Sequence, residues 1–533
     1  MSPVRKRVVF LSCLMSLVAC SLAQDAAYWN THAQDTLKRM MTQKHNTNVA
    51  KNVILFLGDG LGISTVTAAR IYRGQLRGET GEENIMAYEK FAYTGFIKTY
   101  NTDQQVPDSA GTGTAFLCGV KAKAGTLGLD DRVAYGNCTT QHGTEVTSIL
   151  DWSKQEGKST GIVTTTRVTH ATPAAAYAHA AARGWEGDTE LDAEEIEGGC
   201  RDIAYQLVMN NSEINVILGG GRRYFLSENK TDPELNSTSR YQRADIDLVD
   251  EWIKDKTDRN RSHSYVWNNA QFGAVDPETT DHLLGLFESS HMDYEHRRNT
   301  GPEGEPSLAE MTRKAIQILD NNPMGFFLLV EGGRIDHAHH GTYGARALHE
   351  TFAFEEAIQM ALNLTNEEET LLVVTADHSH VFMMAGYPSR GNSILGLVDD
   401  DVSDDGMPYT TLVYGNGPVG RENLTDVDTS DFDFQQGSAV PLYSETHSGE
   451  DVPVYANGPM AHLLTGTHEQ SYIPHVMAFA SCVGINKDNC KQAPPGAPTS
   501  GCEGTHGVSN ISVYRQIYFP VLFVLHVWLS LWL

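Results

Sequence analysis

Several common signatures are absent from this sequence of 533 residues. It has no C-x-x-C pair, so a thiolate zinc site has no support, and it lacks the H-E-x-x-H motif of zinc proteases. Lys and Arg number 40 against 67 Asp and Glu. The resulting net charge of −27 argues against nucleic-acid binding, because neutralisation of phosphates dominates the affinity of such proteins. No internal repeat is present.

Cysteine is scarce as well, because eight residues in the whole chain are too few for a scaffold built on disulfides. Beyond the N-terminal leader, we expect Cys482 and Cys490 to close a short loop, and Cys138 and Cys200 to close a longer one. Cys118 lies in the apolar run AFLC and is interpreted as a buried free thiol.

Neither end of the chain carries an apolar run that reaches the roughly 20 residues of a membrane-spanning helix. A basic start, an apolar run and the small-residue sequence SLA predict a signal peptide at 1–23. The tail at 517–533 is apolar, and small residues within 500–507 precede a polar spacer, which predicts exchange of the tail for a glycolipid anchor. The linker and attachment region then spans 491–516. The mature protein is expected at the extracellular face of the plasma membrane.

N-x-S/T sequons support the secretory interpretation, because N-glycans are added to surface loops of secreted proteins. An eighth sequon, at Asn510, leaves with the tail. We expect at least some of the other seven asparagines to carry glycans: Asn137, Asn210, Asn229, Asn236, Asn260, Asn363 and Asn423.

Short apolar runs alternate with amphipathic stretches through the middle of the sequence. The stretches have helical periodicity and lie at 145–156, 202–209 and 308–319. The runs are β-branched or aromatic, which is typical of strands buried on both faces: 53–57, 160–166, 214–221, 325–333 and 370–377. This alternation predicts an α/β fold, with a largely parallel central sheet flanked by helices.

Two further segments complete the predicted organisation. Residues 24–49 are interpreted as a polar N-terminal helix, and one large domain is assigned to 50–490. Within that domain the sequence at about 388–445 is rich in Gly, Asp and Ser. It is interpreted as an insertion and not as an independent core.

Carboxylates and imidazoles follow four of the predicted strands. Each has an ordinary structural explanation when taken alone, but ligands bind at the carboxyl edge of a parallel sheet, where these strand ends meet. Carboxylates and imidazoles without thiolates suit zinc in open catalytic sites, and magnesium where oxygen ligands predominate. The residues in chain order are Asp59, His170, Glu331, Asp336, Asp377 and His378.

Spacing links further histidines to this edge. Asp336 and His340 are four residues apart, so on a helical turn they share a face and can bind one ion. His447, in the segment ETHSGED, is a candidate third ligand that leaves one coordination position open. His337 and His339 cannot share that face and are candidates for contacts to the ligands instead.

Ser109 lies in VPDSAGTGTA, at the start of a predicted helix whose free backbone N–H groups favour negative charge. An N-cap serine is the ordinary explanation of such a position. The G-x-S-x-G elbow of serine hydrolases is absent, because residue 107 is proline. Coordination to a metal ion would activate the hydroxyl without a neighbouring base, so Ser109 is a candidate nucleophile.

The sequence resembles the animal alkaline phosphatases over essentially the whole mature chain, including the cysteine pairs, the insertion and the anchor tail. It does so in a set of motifs: FLGDGLG, VPDSAGTGTA, TTTRVTHATPAAAYAHAAAR, FLLVEGGRIDHAHH, VTADHSHVF and ETHSGEDVPVYA. The resemblance implies hydrolysis of phosphate monoesters at alkaline pH through a covalent phosphoserine. A dinucleotide-binding turn is the alternative for the first motif, but its glycines run G-x-G-x-G and not G-x-G-x-x-G.

The resemblance also implies two zinc ions, one magnesium ion and one calcium ion per subunit. The zinc ligands would be Asp336, His340 and His447 for the first ion, and Asp59, Ser109, Asp377 and His378 for the second. The magnesium ligands would be Asp59, Thr172 and Glu331, with His170 nearby. The calcium ligands would be Glu234, the Phe287 carbonyl, Glu288 and Glu305, with Glu303 competing for the last position.

Arg183 falls where the resembling family has its phosphate-binding arginine, and a planar guanidinium suits two phosphate oxygens. The insertion resembles the crown domain of that family. Together with the N-terminal helix it implies a homodimer in which Tyr387 reaches the partner's site. Small phosphate monoesters are the implied substrates.

Other functions remain as hypotheses beside the monoesterase. A phosphodiesterase or sulfatase on the same kind of sheet is one, because metal-binding rims recur with different nucleophiles. A sulfatase would require a modifiable cysteine in its own motif, and Ser109 does not supply one. A metal-stabilised adhesion protein is another, and it needs no nucleophile.

Overall fold

The computed structural model describes residues 24–399 and 403–488. The signal peptide predicted at 1–23 lies outside the described residues. So do the linker at 491–516, the tail at 517–533 and Cys490. No helix among the residues that are described is both long and apolar enough to cross a membrane.

Most strands of the described chain join one large sheet. In chain order, all the strands of the described residues are β1 (Asn52–Gly58), β2 (Tyr93–Lys98), β3 (Ser159–Arg167), β4 (Val216–Gly220), β5 (His263–Val266), β6 (His282–Leu286), β7 (Phe326–Gly332), β8 (Thr370–Ala376), β9 (Ser379–His380), β10 (Phe382–Met384), β11 (Leu412–Gly417), β12 (Ser438–Pro441), β13 (His447–Ser448), β14 (Val452–Asn457) and β15 (Gly466–Glu469). The five predicted strands are confirmed as β1, β3, β4, β7 and β8.

The large sheet has the strand order β15-β2-β14-β8-β1-β7-β3-β4-β6-β5. Strand β14 is antiparallel to both of its neighbours, and the other adjacent pairs are parallel. All residues of β1, β7 and β8 are buried. In register, Leu55 of β1 lies between Leu329 of β7 and Val373 of β8. The predicted α/β fold with a largely parallel sheet buried on both faces is confirmed.

Helices cover this sheet and connect its strands. They are α1 (Ala26–Thr42), α2 (Ile63–Gln75), α3 (Ser109–Cys118), α4 (Ile149–Gln155), α5 (Ala171–Ala174), α6 (Ala193–Glu197), α7 (Ile203–Tyr205), α8 (Leu248–Asp258), α9 (Asn269–Ala274), α10 (Leu308–Leu319), α11 (Arg334–His340), α12 (Gly344–Leu364) and α13 (Ile473–Ser481). A short π-helical turn, Gln206–Asn210, continues α7.

Helix boundaries follow their capping residues. The helix predicted at 308–319 is confirmed, and Ser307 with Glu310 forms its capping box. The helix predicted at 145–156 begins later, at Ile149, because Ser148 and Asp151 form a capping box there. The N-terminal helix is shorter than the predicted 24–49, and no residue of it is buried.

The insertion at about 388–445 contributes β11 and β12, which form a small sheet with β10. It is tied to the rest of the chain by hydrogen bonds: Arg346 Nε donates to the Phe432 carbonyl (2.7 Å), and Gln435 Nε2 donates to the Gly341 carbonyl (2.7 Å). Its described residues therefore pack on α12 and on the end of α11.

The cysteines are placed as the sequence suggested. Cys138 and Cys200 form a disulfide with a Cα–Cα distance of 5.8 Å. Cys118 is a buried free thiol, and burial raises its pKa well above the ordinary value. Cys482 is also bonded in a disulfide, and its predicted partner Cys490 is outside the described residues. All seven sequon asparagines are exposed. Their glycosylation stays a prediction.

Candidate metal centre

Four neighbouring strands bring the predicted side chains to one edge of the sheet. The strand order places β8, β1, β7 and β3 side by side. Asp377, Asp59 and His170 lie just beyond the carboxyl ends of β8, β1 and β3, and Glu331 is the penultimate residue of β7. The three carboxylates are fully buried and His170 is 9% exposed. The sheet therefore concentrates negative charge in a site that excludes water.

Asp336, His340 and His447 meet at one side of this edge. Helix α11 carries Asp336 and His340 on consecutive turns, and the antiparallel pairing of β13 with β9 sets His447 opposite His380. Asp336 Oδ1 lies 3.3 Å from Nε2 of both His340 and His447. These two Nε2 atoms are 3.1 Å apart. One carboxylate and two imidazoles thus converge on a single point.

Sequence reasoning gave no role to His380, although it lies in this group. Its Nε2 is 2.8 Å from Asp336 Oδ1, and its Nδ1 is 2.6 Å from Glu445 Oε2. Burial lowers its pKa, but the Glu445 and Asp336 carboxylates outweigh burial and raise the pKa of His380 to about 10. Through this hydrogen bond His380 fixes the orientation of the Asp336 carboxylate, as residues that contact metal ligands do. Its spacing of two from His378 was the available signal, but the partner Glu445 is 65 residues away in the chain.

The backbone conformation at position 60 explains why a glycine follows Asp59. Gly60 has a φ of +73°, which favours glycine. A Cβ atom at this position would lie 2.5 Å from Cδ2 and Nε2 of His380. The Gly60 N–H also donates to Asp377 Oδ1 (3.0 Å). The turn is tight because the backbone approaches the site itself, and a larger residue would displace an imidazole.

A second group joins Asp59, Asp377 and His378 to Ser109. His378 Nε2 lies 3.1 Å from Asp377 Oδ2, 3.6 Å from Asp59 Oδ1 and 3.1 Å from Ser109 Oγ. Ser109 is 2% exposed and is the first residue of α3. It is not the N-cap, because Asp108 occupies that position and accepts from the Gly111 N–H. The ordinary explanation of Ser109 as a helix cap is thereby removed.

Buried oxygens without hydrogen-bond partners mark this group as a cation site. Both carboxylate oxygens of Asp59 are buried and have no hydrogen-bond partner. Burial, followed by the charges of Asp377, Asp336 and Glu331, raises the pKa of Asp59 well above its ordinary value. Buried carboxylates of like charge are costly unless a positive charge lies between them. The donor set therefore fits a divalent ion.

A third group contains Asp59, Glu331 and His170, whose ligand atoms all lie within 4.8 Å of one another. Glu331 Oε2 accepts from the hydroxyls of Thr164 and Thr166, which lie on one face of β3. The remaining atoms, Glu331 Oε1, Thr172 Oγ1 and His170 Nδ1, are buried without a partner. Mostly oxygen donors of this kind suit magnesium.

Arg183 is held beside Ser109 by two neighbours. Its Nη1 lies 3.2 Å from Asp108 Oδ2, and its Nη2 lies 3.0 Å from His170 Nε2. Asp108 thus caps α3 and fixes the guanidinium at the same time. The arginine side chain is 29% exposed, so it faces both the buried group and solvent. Asp108 is a second residue of the site to which sequence reasoning gave no role, because its contact with Arg183 spans 75 positions.

The predicted calcium ligands belong to a second acidic cluster, which shares no residue with the metal centre described above. Glu288, Glu234, Asp293 and Glu305 lie near one another. Burial and then the Glu234 and Asp293 charges raise the pKa of Glu288 to about 8. Burial and then Glu288 raise the pKa of Glu305 to about 9. Glu305 Oε2 is buried without a partner, so the cluster fits a cation.

The structure distinguishes Glu303 from Glu305. Glu303 is exposed and accepts from Asn268 Nδ2 (3.1 Å). Glu305 is 2% exposed, and its Oε1 accepts from the Asp293 N–H (2.8 Å). Glu234 instead pairs with the buried Arg222 (2.6 Å). Of the two alternatives, Glu305 faces the other acidic residues.

Comparison with known proteins decides the family. The alkaline phosphatase family model matches residues 50–483. Tissue-nonspecific alkaline phosphatases of Rattus norvegicus and Homo sapiens are 54% identical over 492 residues, which cover 90% of this chain and 93% of each relative. The chain belongs to the alkaline phosphatase family. The alkaline phosphatase of Gadus morhua is 51% identical over 470 residues, covering 86% of this chain and 98% of the relative.

Solved alkaline phosphatases share the fold. The Thermus thermophilus enzyme is 23% identical, with a TM-score of 0.58 over 83% of this chain and 93% of that chain. The enzyme of the Antarctic bacterium TAB5 is 24% identical, with a TM-score of 0.57 over 82% of this chain and 99% of that chain. The resemblance is thus confirmed. This alkaline phosphatase hydrolyses phosphate monoesters, and its ligand groups are those of an enzyme that uses divalent metal ions.

Proposed function

We propose that Ser109 is the nucleophile of this alkaline phosphatase and that the covalent intermediate is its phosphate ester. The observation that carries the proposal is the position of Asp59, which belongs both to the group with Asp377 and His378 and to the group with His170 and Glu331. Two cations sharing Asp59 would leave Ser109 Oγ beside one of them, since it already lies 3.1 Å from His378 Nε2.

We assign the ions by the chemistry of each group. Two groups contain carboxylates and imidazoles, which suit zinc. The third contains mainly oxygen atoms, which suit magnesium. The first zinc would be held by Asp336, His340 and His447, and the second by Asp59, Asp377, His378 and Ser109. Magnesium would be held by Asp59, Thr172 and Glu331, with His170 nearby.

The reaction proceeds in two displacements. Ser109 Oγ attacks the phosphorus, so that the bond from Ser109 to phosphorus forms while the bond from phosphorus to the alcohol oxygen breaks. The alcohol leaves with a proton. Water then hydrolyses the phosphoserine, which gives inorganic phosphate and restores the hydroxyl.

Within this reaction, Arg183 binds two phosphoryl oxygens through its planar fork. When bound, the metal ions supply positive charge that stabilises the reacting oxygens and lowers the pKa of a coordinated hydroxyl or water. Recognition is limited to the phosphoryl group, so a broad range of alcohols is expected to be accepted.

The acidic cluster is proposed as a calcium site. Glu234, Glu288, Glu305 and the Phe287 carbonyl are its proposed ligands, and hard oxygen donors of this kind suit calcium. The raised pKa values of Glu288 and Glu305 support this assignment, because mutual repulsion of buried carboxylates is relieved by a cation.

A homodimer held at the cell surface is proposed as well. Helix α1 has no buried residue, and it exposes half of Trp29 and 84% of Met41. Exposed apolar side chains on an unpartnered helix indicate an interface. Tyr387, which directly precedes the insertion at about 388–445, is 86% exposed and available to a partner's site. The proposed lipid anchor and the extracellular location rest on the sequence signals at the two ends.

The proposal is tested by trapping the intermediate. The zinc- and magnesium-loaded enzyme is mixed with a phosphate monoester, quenched in acid, and digested for mass spectrometry. A phosphate on the peptide that contains Ser109 is expected, and Ser109→Ala removes it. Ser153→Ala, which alters a buried helical serine outside the site, is the matched control and retains the label. Phosphate on another residue, or a fully active Ser109→Ala enzyme, contradicts the proposal.

A further inference from the structure

Three histidines meet beside Arg183. One ring nitrogen from each of His170, His291 and His337 lies within 4.8 Å of the other two. Their rings pack edge to face, with centroid distances of 5.3 Å for His170–His291, 5.5 Å for His170–His337 and 4.3 Å for His291–His337. We call these residues the histidine triad. His291 is its new member, since sequence reasoning gave it no role.

Arginines surround the histidine triad. Each imidazole has a ring nitrogen within hydrogen-bond distance of an arginine N–H. The histidines and the arginines therefore form one hydrogen-bonded unit. The contacts are Arg183 Nη2 with His170 Nε2 (3.0 Å), Arg334 Nη1 with His337 Nδ1 (3.0 Å), and Arg167 with both ring nitrogens of His291, its backbone N–H at Nδ1 (3.3 Å) and its Nη1 at Nε2.

His291 belongs to the segment that holds the proposed calcium ligands other than Glu234. That segment, residues 287–305, contributes Glu288 and Glu305 to the acidic cluster. Between them the chain contacts the catalytic centre. His291 packs in the triad, and the Met292 N–H donates to the Thr165 carbonyl of β3 (3.1 Å). His291 follows Glu288 by three positions, with two residues between them, so a shift of this carboxylate would move the imidazole.

Two further contacts hold the segment just after His291. The Arg334 guanidinium, on the helix that carries Asp336, lies 3.9 Å from the centre of the Tyr294 ring. The Glu295 N–H donates to the buried Glu350 Oε1 (2.6 Å). The segment thus joins the acidic cluster near its two ends and contacts the residues around the triad in its middle part.

We propose that His291 is a positioning residue, through which a cation at the acidic cluster strengthens the hold of Arg183 on phosphate. Without a cation, Glu234, Glu288, Asp293 and Glu305 repel one another. With a cation they are drawn together, and His291 supports His170 against Arg183. The inference rests on the proposed calcium site and on the proposed phosphate contact of Arg183.

Coupling of this kind is reciprocal, which gives a test that does not depend on turnover. The enzyme is loaded with zinc and magnesium. Isothermal titration then measures the Kd of inorganic phosphate with and without calcium, and the Kd of calcium with and without phosphate. We expect calcium to tighten phosphate binding by about fivefold or more, and phosphate to tighten calcium binding by the same factor.

Variants at position 291 identify the route of the coupling. In His291→Ala both calcium and phosphate still bind, but the factor by which each tightens binding of the other falls to about one. His291→Asn keeps an acceptor for the Arg167 backbone N–H and restores part of the coupling. Thr300→Ala changes an exposed residue of the same segment and is the control, with coupling retained. If His291 had a structural role alone, its substitution would lower the thermal stability. The ratio between the Kd of phosphate without calcium and the Kd with calcium would then stay as in the wild type.

The outcomes separate this inference from the assignments on which it rests. Loss of calcium binding in the wild type would overturn the calcium site and the coupling together. Loss of phosphate binding would overturn the role of the catalytic centre. If both ligands bind and neither affects the other, or if His291→Ala keeps the coupling, the inference about His291 alone is wrong.

Discussion

The contribution of Arg183 can be predicted from its contacts. In the proposed complex it donates two charge-assisted hydrogen bonds to phosphoryl oxygens, each worth about 1.5–3 kcal/mol. Because the side chain is 29% exposed, we take the lower end, which gives about 3 kcal/mol for Arg183→Ala. That corresponds to a loss of roughly 100-fold in kcat/KM. Arg183→Lys keeps the charge but loses the fork, and we expect a loss of about tenfold.

The assay is steady-state hydrolysis of p-nitrophenyl phosphate, with the inhibition constant of inorganic phosphate measured in parallel. The stability of Arg183→Ala is expected to change little. Among the described residues Arg183 forms an ion pair with Asp108 alone, and such partly exposed pairs contribute about 0–1 kcal/mol. An Arg183→Ala enzyme within threefold of the wild type in kcat/KM would refute this reasoning. So would a loss of activity that follows a loss of melting temperature.

Three further predictions concern stability and assembly. Burial raises the pKa of the Glu350 carboxyl from 4.5 to about 7. As the pH rises, this carboxyl is therefore deprotonated in the unfolded chain before it is deprotonated in the folded protein, and the stability of the protein falls between about pH 4.5 and pH 7. Glu350→Gln is therefore expected to stabilise the protein by ~3 kcal/mol at pH 9 and by little at pH 5 in denaturant titrations. Replacing Cys138 and Cys200 by Ala is expected to cost about 2–5 kcal/mol; an unchanged melting temperature would contradict this. Deleting residues 24–42 is expected to shift the dimer towards monomer in analytical ultracentrifugation, whereas an unchanged mass would place the interface elsewhere.

Much of the fold could be predicted because its signals are local. The runs at 53–57 and 370–377 are apolar, β-branched and bounded by turns, and each became a strand buried on both faces. The pair Asp336 and His340 shares a helical face by spacing alone. Helix ends were less accurate. The helix predicted from residue 145 begins at Ile149, because the Ser148 side chain offers a better start than the apolar pattern does.

Contacts between distant segments could not be predicted in the same way. Glu445 reaches His380 across 65 residues, and His291 lies next to Arg167 across 124. Both arise because separate connections end at the same edge of the sheet. Periodicity and spacing report neighbours within one element, whereas these pairs depend on tertiary packing. The motif resemblance supplied the proposed ligand sets, and the structure adds residues that contact them, such as His380 and Asp108.

The central claim is most directly tested by comparing p-nitrophenyl phosphate with bis(p-nitrophenyl) phosphate at alkaline pH. Wild type and Ser109→Ala are each assayed before and after EDTA, and again after zinc and magnesium are restored. We predict that the wild type prefers the monoester, loses activity with EDTA and regains it with the metals, while Ser109→Ala stays inactive throughout. Preference for the diester, or full activity without Ser109 or metal, would contradict the proposed mechanism.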